Sequence, residues 1–436
     1  MTKYYNKKIE CMTKEEKFTL QSNKLVSVVK RVFQNVGWYR EKMLKMGVYP
    51  EDIKTIDDIE KLPFTEKHDL RDNYPFGSFA VSKKQIVRVH ASSGTTGKLT
   101  VVGYTKKDIE DWAECCARGL YSVGAGEEST IHVAYGYGLF TGGLGMHYGG
   151  ELIGATVVPV SSGNTPRQIM LINDFSADTL CCTPSYAIHM AEEALKLGLN
   201  PKNFPLKYGV FGAEPWSEEM RKQIEELYSL KAYDIYGLSE ITGPGVATEC
   251  EFQCGPHVQD DFFYPEIIDS ITEKQLRMGE TGELVFTTLS KEGMPLIRYR
   301  TRDISSIISD PCPCGRTTVR LSKITGRYDD MMIVRGVNVF PSQIESALVG
   351  CDSQVSSKFM VVLNRINNLD TMDIEVELVP GVAFDEIKSI QLLTQKVNSV
   401  VSSAIGVSAN IKLVSSGTFK YVEGEKVKKV KDNRKI

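Results

Sequence analysis

Between Thr156 and Tyr236 the chain alternates short apolar runs with helical stretches, and this rhythm restricts its fold more than any other feature. The runs Thr156–Val160, Asp178–Cys182, Tyr208–Gly212 and Lys231–Tyr236 have strand length, and stretches such as Ser185–Leu197 and Ser217–Leu227 read as the helices between them. A β-α-β succession implies a largely parallel sheet with helices on its faces. In such sheets ligands gather beyond the carboxyl ends of the strands. That directs attention to Gly212-Ala213-Glu214-Pro215-Trp216 and Asp234-Ile235-Tyr236-Gly237-Leu238-Ser239-Glu240.

Two further regions flank this sheet. Leu25, Val26, Val29, Val32, Phe33 and Val36 recur at helical spacing and predict an amphipathic helix near the start. Beyond Gly326 the character changes: Met360–Leu363, Ile374–Val379 and Ile411–Val414 read as strands, with a long helical stretch between Phe384 and Val401. The expected fold is α/β, with a large N-terminal domain over residues 1–326 and a small α+β domain over 327–436. A length of 436 residues suits two or three domains.

Ser92-Ser93-Gly94-Thr95-Thr96-Gly97-Lys98 lies between two expected strands, Gln85–Ala91 and Thr100–Thr105. Glycines let main-chain N–H groups approach phosphate oxygens, hydroxyls add donors and the lysine adds charge. The pattern is not a Walker loop, which needs glycine where Ser92 stands and a helix where Leu99-Thr100-Val101-Val102 looks extended. A flexible hairpin is the competing reading.

A net charge of −3 argues against a dedicated nucleic-acid binder. Met1–Lys17 is charged and lacks the apolar segment of a signal peptide. Tyr135–Val160, the most apolar region, is glycine-rich and interrupted by His147 and Glu151, unlike a membrane span. Six of the ten cysteines stand in close pairs, Cys115-Cys116, Cys181-Cys182 and Cys312-Pro313-Cys314, which argues against a secreted disulfide framework. The expectation is a soluble cytoplasmic protein. Cys250, Cys254, His257, Cys312 and Cys314 offer five ligands for the four positions of a structural zinc site, the alternative being reduced cysteines packed as small hydrophobes.

The ordered set of motifs resembles the phenylacetate–coenzyme A ligase family of adenylate-forming enzymes. It runs through Leu62-Pro63-Phe64-Thr65-Glu66-Lys67, Tyr74-Pro75-Phe76-Gly77, Ser92–Lys98, Gly212–Trp216 and Tyr236–Glu240. It continues through Tyr299-Arg300-Thr301-Arg302-Asp303, Gly326–Asp330 and Arg335–Glu345. The resemblance implies that ATP and a carboxylic acid form an acyl-adenylate, which coenzyme A then converts to a thioester. By motif, Ser92, Ser93, Gly94, Thr95, Thr96, Gly97 and Lys98 cradle phosphates, and Glu240 helps hold Mg²⁺, a cation that takes oxygen ligands. Asp303 accepts the ribose hydroxyls, its alternative being an ion pair to Arg300 or Arg302. Arg327 lies near the ribose and α-phosphate, while Gly212, Ala213, Glu214 and Pro215 with Asp234, Ile235, Tyr236 and Gly237 surround the nucleotide.

In Tyr135-Gly136-Tyr137-Gly138-Leu139-Phe140-Thr141-Gly142-Gly143-Leu144-Gly145, rings alternate with residues lacking side chains. Such a run can form a flat slot for an aryl group, or a core segment packed closely through its glycines. The resemblance places Tyr135, Phe140, Ala213 and Gly237 at the acid and favours Cys250, His257, Cys312 and Cys314 as zinc ligands over Cys254. It also implies a mobile C-terminal domain carrying a catalytic lysine. Aligned from Asp432 and Arg434 that lysine is Lys426, with Glu425 directly before it; Lys428 is the reserve.

The implied partners are an aryl acid, ATP and coenzyme A, with no nucleic acid and no membrane; a homodimer stays open. Two other readings compete. One passes the acyl group to a carrier-protein thiol. The other is a non-catalytic nucleotide- and zinc-binding regulator, against which the presence of Glu240 and the tail lysine counts.

Overall fold

The structure is a computed structural model, and it describes all residues except 1–3, 93–98, 140, 329–330, 336, 367–368, 383–386, 420–428 and 435–436, together with the side chains of Ser92, Ile333, Asn338, Arg365, Ile366, Leu369, Ile387 and Lys388. The chain forms two compact units, Met1–Glu214 with Glu225–Lys323, and Pro215–Ile224 with Ile324–Ile436.

The first unit is built on a nine-stranded sheet. Thr130–Val133 pairs in parallel with Thr156–Val158 and Thr179–Cys182; Tyr208–Gly212 and Lys231–Leu238 continue the parallel series. All but Thr130–Val133, which the alternation did not single out, are strands expected from it, and their interior positions, such as Leu180, Val210, Phe211 and Ala232, are fully buried because helices cover both faces. The sheet then reverses. Gly243–Thr248, His257–Val258, Arg320–Leu321 and Ile307–Ile308 extend it antiparallel, an extension that the short, irregular runs involved did not disclose. A second antiparallel set, Phe263–Ile268, Gly282–Thr288 and Tyr299–Ser305, completes the unit's strands of interest.

The amphipathic N-terminal helix is Lys14–Asn35, opened by a Thr13–Glu16 capping box and burying Leu25, Val28, Val29 and Val32. Helix Lys106–Val123 begins at an equivalent box of Thr105 and Asp108 and buries Trp112, Cys115, Cys116 and Leu120. Against it lies Gly142–Leu152, with Gly145 and Gly149 facing it: a Cβ at Gly149 would meet Cys116 Cβ at 2.5 Å. Gly145 and Gly149 therefore serve close packing of these helices, while Gly142 and Gly143 lie against the rings of Tyr135 and Tyr137.

The Leu62–Lys67 motif is bound to the antiparallel set. Thr65 N–H donates to Arg298 O (3.0 Å), and Arg300 N–H donates to Thr65 O (2.9 Å). Phe64 lies under the Arg298 guanidinium at 3.9 Å, and Arg298 pairs with fully buried Glu266 at 2.9 Å. Removing one member of such a pair leaves a buried charge uncompensated, so the motif is held rigidly.

In the second unit, Val355–Ile366 and Leu369–Leu378 form an antiparallel hairpin, flanked in parallel by Asn410–Val414 and Val430–Asp432. Helices Pro341–Leu348 and Ile387–Ile405 share its core with Val361, Leu363, Ile374, Val376, Val397 and Val401. Among the described residues no helix is long and apolar enough to cross a membrane.

Candidate functional site

Strand Lys231–Leu238 delivers the polar groups of the site at its carboxyl end. Tyr236 hydroxyl donates to Asp303 Oδ2 at 2.6 Å, and its ring stacks on Phe286 with centroids 6.1 Å apart. Asp303 is buried, and its N–H donates to Thr301 Oγ1 at 3.0 Å. The arginine alternative fails on geometry. Arg300 bonds Glu283 (2.6 Å) and Glu273 (2.7 Å), and Arg302 bonds Glu66 (2.7 Å). The Tyr236 phenol orients Asp303, a carboxylate suited to receiving vicinal hydroxyls.

Glu240 follows one turn further on. Its side chain is 6 % exposed, and its Oε1 stands 3.2 Å from Lys67 Nζ. Lys67 is thus brought to the site by the anchored Leu62–Lys67 motif. No residue-level argument from sequence placed it there, because the pairing joins segments more than 170 residues apart.

The turns admit only glycine at two positions. A Cβ on Gly212 would collide with Ile235 O, and one on Gly237 with Gly243 O, both main-chain atoms that cannot swing aside. Gly237→Ala should therefore cost about 3 kcal/mol or more, the upper range for overpacking. A melting temperature and nucleotide affinity equal to wild type would refute this. Ala213 adopts a left-handed φ of 72° at the end of Tyr208–Gly212. Glu214 Oε1 accepts from Ser185 N–H at 2.8 Å, tying this tip to the neighbouring helix. Asp234 is buried in the strand, and its N–H donates to Glu249 Oε2 at 2.8 Å. Pro215 and Arg327 belong to the second unit.

Tyr135 is buried and its hydroxyl donates to Val210 O at 3.3 Å, so it can offer an acid only ring surface. Burial pushes its phenol well above the ordinary range. Residues 93–98, Phe140, Lys426 and Lys428 lie outside the described residues. So does the side chain of Ser92, whose main chain ends strand Arg88–Ser92.

A second cluster is built at the antiparallel extension. Cys250, His257, Cys312 and Cys314 are all buried, and their ligand atoms lie within 4.8 Å of one another. Cys250 Sγ stands 3.6 Å from Cys312 Sγ, and Cys314 Sγ stands 3.5 Å from His257 Nε2. Four ligands about 2.3 Å from a tetrahedral zinc would be separated by roughly 3.5–3.8 Å, so the donor set and spacing fit that ion. His257 Nδ1 hydrogen-bonds Thr318 Oγ1 at 2.9 Å, which turns Nε2 toward the sulfurs. The turn Cys312–Gly315 closes with Gly315 N–H donating to Cys312 O at 3.0 Å and Gly315 at a φ of 78°. A hydrogen bond from Cys250, and another from His257, hold the Cys314 thiol far below its ordinary pKa, while the same shared proton pushes Cys250 up. Cys254 comes within 3.5 Å of Cys312 but lies outside the mutual four, its sulfur receiving Arg320 Nη1 at 3.1 Å.

The N-terminal segment docks on this knuckle. Tyr4 hydroxyl donates to Cys314 O at 2.6 Å, Arg316 pairs with Glu10 at 2.5 Å, and both residues of that pair are buried.

Comparison with known proteins agrees with the arrangement. Residues 28–290 match the model of the AMP-binding enzyme family, and residues 336–434 match the AMP-binding enzyme C-terminal domain. A phenylacetate-coenzyme A ligase of Thermus thermophilus is 45 % identical over 99 % of this chain and 100 % of its own length. One of Escherichia coli is 46 % identical over 96 % of this chain and 95 % of its own. A crystal structure of 2-hydroxyisobutyryl-CoA ligase, in the postadenylation state in complex with 2-HIB-AMP, superposes with a TM-score of 0.91 at 29 % identity, covering 98 % of this chain and 91 % of that one. With both domain models matched in order and near-complete coverage by these relatives, the chain belongs to the phenylacetate–coenzyme A ligase family of AMP-binding enzymes.

Proposed function

We propose that the protein joins phenylacetate, or a related arylacetic acid, to coenzyme A through an acyl-adenylate. In the first step a carboxylate oxygen attacks the α-phosphorus of ATP and pyrophosphate leaves. In the second, the coenzyme A sulfur attacks the activated carbonyl carbon, loses its proton, and AMP leaves. The observation that carries this reading is the near-complete coverage by relatives named for that reaction. The polar tip of strand Lys231–Leu238 supports it chemically.

In this reading Asp303, oriented by Tyr236, receives the ribose hydroxyls, and the turns at Gly212–Pro215 and Asp234–Gly237 let the nucleotide approach the main chain. Arg327 stands near the α-phosphate, and the 92–98 loop with Lys98 holds the outer phosphates. The Glu240 carboxylate is a hard oxygen donor and would hold Mg²⁺, which would supply charge neutralisation for the departing pyrophosphate. Tyr135 and Phe140 contact the aryl ring. Residues 327–436 act as the mobile domain that presents Lys426. All ten cysteines are free of disulfides, in keeping with a reducing cytoplasm. Cys250, His257, Cys312 and Cys314 hold a structural zinc with no ligand position left for chemistry.

Lys98→Ala tests the phosphate loop. ATP–pyrophosphate exchange should show a raised KM for ATP and slower adenylation, about 2–4 kcal/mol of lost transition-state stabilisation. Unchanged kinetics with ATP would remove Lys98 from the site. Exchange measured across a panel of aryl and alkyl acids identifies the acid, and discharge by coenzyme A in place of a phosphopantetheinyl carrier excludes the carrier reading.

A further inference from the structure

Four consecutive main-chain carbonyls, those of Ser239, Glu240, Ile241 and Thr242, are received by two side chains. Tyr104 hydroxyl donates to Thr242 O at 3.0 Å and leans toward Ser239 O at 3.4 Å. Lys291 Nζ donates to Ile241 O at 2.5 Å and to Glu240 O at 3.4 Å. The two side chains also touch each other, the ammonium lying 4.6 Å from the Tyr104 ring centroid. Tyr104 in turn stacks on Trp112 at 5.5 Å and meets His90 edge-on at 5.4 Å, so it cannot move independently. Ile241 and Thr242 N–H both donate to Leu238 O at 3.1 Å, completing a tight turn whose carbonyls all point into the core.

Lysine is seldom buried without a carboxylate partner. Lys291 is 6 % exposed, and its donors go to carbonyl oxygens. Desolvation lowers its pKa to about 8, with Asp108 and Glu240 opposing the shift. Asp108 also fixes the loop that carries it, accepting from Glu292 N–H at 2.6 Å, Gly293 N–H at 2.9 Å and, at the start of its own helix, Thr105 N–H at 2.8 Å. No step of the proposed reaction calls on this ammonium. Its geometry is that of a clamp on the turn that carries Glu240.

We propose that Lys291, assisted by Tyr104, is a positioning residue that holds the Glu240 turn in the conformation that binds Mg²⁺. The inference rests on the reading of Glu240 as a metal ligand. Without the clamp, four carbonyls in a dry core lose their donors and the turn must rearrange to recover them. Glu240 would then meet the ion from a displaced backbone, weakening metal affinity more than the chemistry that follows.

The full chain is assayed by ATP–pyrophosphate exchange with phenylacetate as Mg²⁺ is varied, beside thioester formation from preformed phenylacetyl-adenylate. In Lys291→Met the Mg²⁺ concentration for half-maximal exchange should rise about tenfold, with raised Mg²⁺ restoring most of the rate and thioester formation changed by less than about twofold. Tyr104→Phe should move the same midpoint by about threefold, because it removes a neutral donor and keeps the ring. A wild-type Mg²⁺ midpoint in folded Lys291→Met overturns the proposal. So does an equal loss in both half-reactions that Mg²⁺ does not restore, which marks a merely structural lysine. If Lys291→Met does not fold, Tyr104→Phe decides, and an unmoved midpoint there is equally fatal. Glu240→Gln separates the two layers. A shifted midpoint there beside an unshifted one in Lys291→Met removes the clamp alone, whereas an unshifted midpoint in Glu240→Gln removes the metal reading and the clamp with it.

Discussion

Lys426→Ala is expected to slow acyl-adenylate formation by roughly 10²-fold or more, while thioester formation from preformed adenylate stays nearly normal. The asymmetry follows from charge. Attack at the α-phosphate builds negative charge that a lysine can stabilise, whereas thiol attack on an acyl-adenylate develops its charge on the carbonyl and the departing AMP. A mobile domain can present the lysine for the first step and withdraw it for the second. The described residues next to this segment are anchored: Lys429 pairs with Glu345 at 2.7 Å, Val430–Asp432 pairs with Val361–Leu363, and Arg434 pairs with Asp370 at 2.8 Å. Separate assays of the two half-reactions check the prediction. Equal loss in both would contradict the division of labour, and a selective defect in Lys428→Ala alone would move the role two residues along.

The second large effect concerns the cysteine–histidine cluster. Protein purified without chelators should carry about one zinc per chain, and Cys312→Ser should lose it together with about 5 kcal/mol of stability. The estimate is below the 10–16 kcal/mol typical of small zinc-dependent peptides, because the sheet around this knuckle has a core of its own. Loss should first loosen the N-terminal segment, since Tyr4 and Glu10 are attached to Cys314 and Arg316. Metal analysis and thermal melts decide it, and zinc-free wild-type protein of full stability would rule the site out. Catalysis need not change, because a metal held by all four ligands would have no position left for chemistry.

Much of the framework was legible because local rules write it. Tyr208–Gly212 is the strand its apolar run predicts, and Ser185–Leu197 and Ser217–Leu227 lie within a residue of the helices Pro184–Lys196 and Glu218–Tyr228. In the second unit the helical stretch from Phe384 corresponds to Ile387–Ile405, and the strand near Met360 grows to Val355–Ile366 once a hairpin partner extends it. Periodicity is a property of neighbouring residues, so it survives in sequence.

What sequence alone determined, then, is the parallel α/β core, the glycine positions of the site turns and the residue types of the zinc-fitting cluster. Each is set by spacing along the chain. Only the tertiary structure decided that Tyr236 rather than Arg300 or Arg302 orients Asp303, that Lys67 meets Glu240, and that Lys291 and Tyr104 grip the Glu240 turn. It also decided the antiparallel extension of the sheet, on which Cys250 and His257 come to face Cys312 and Cys314. These are contacts between residues 50 to 173 positions apart. They exist because the packing of separate elements brings particular side chains within about 3 Å, and no local periodicity encodes that distance.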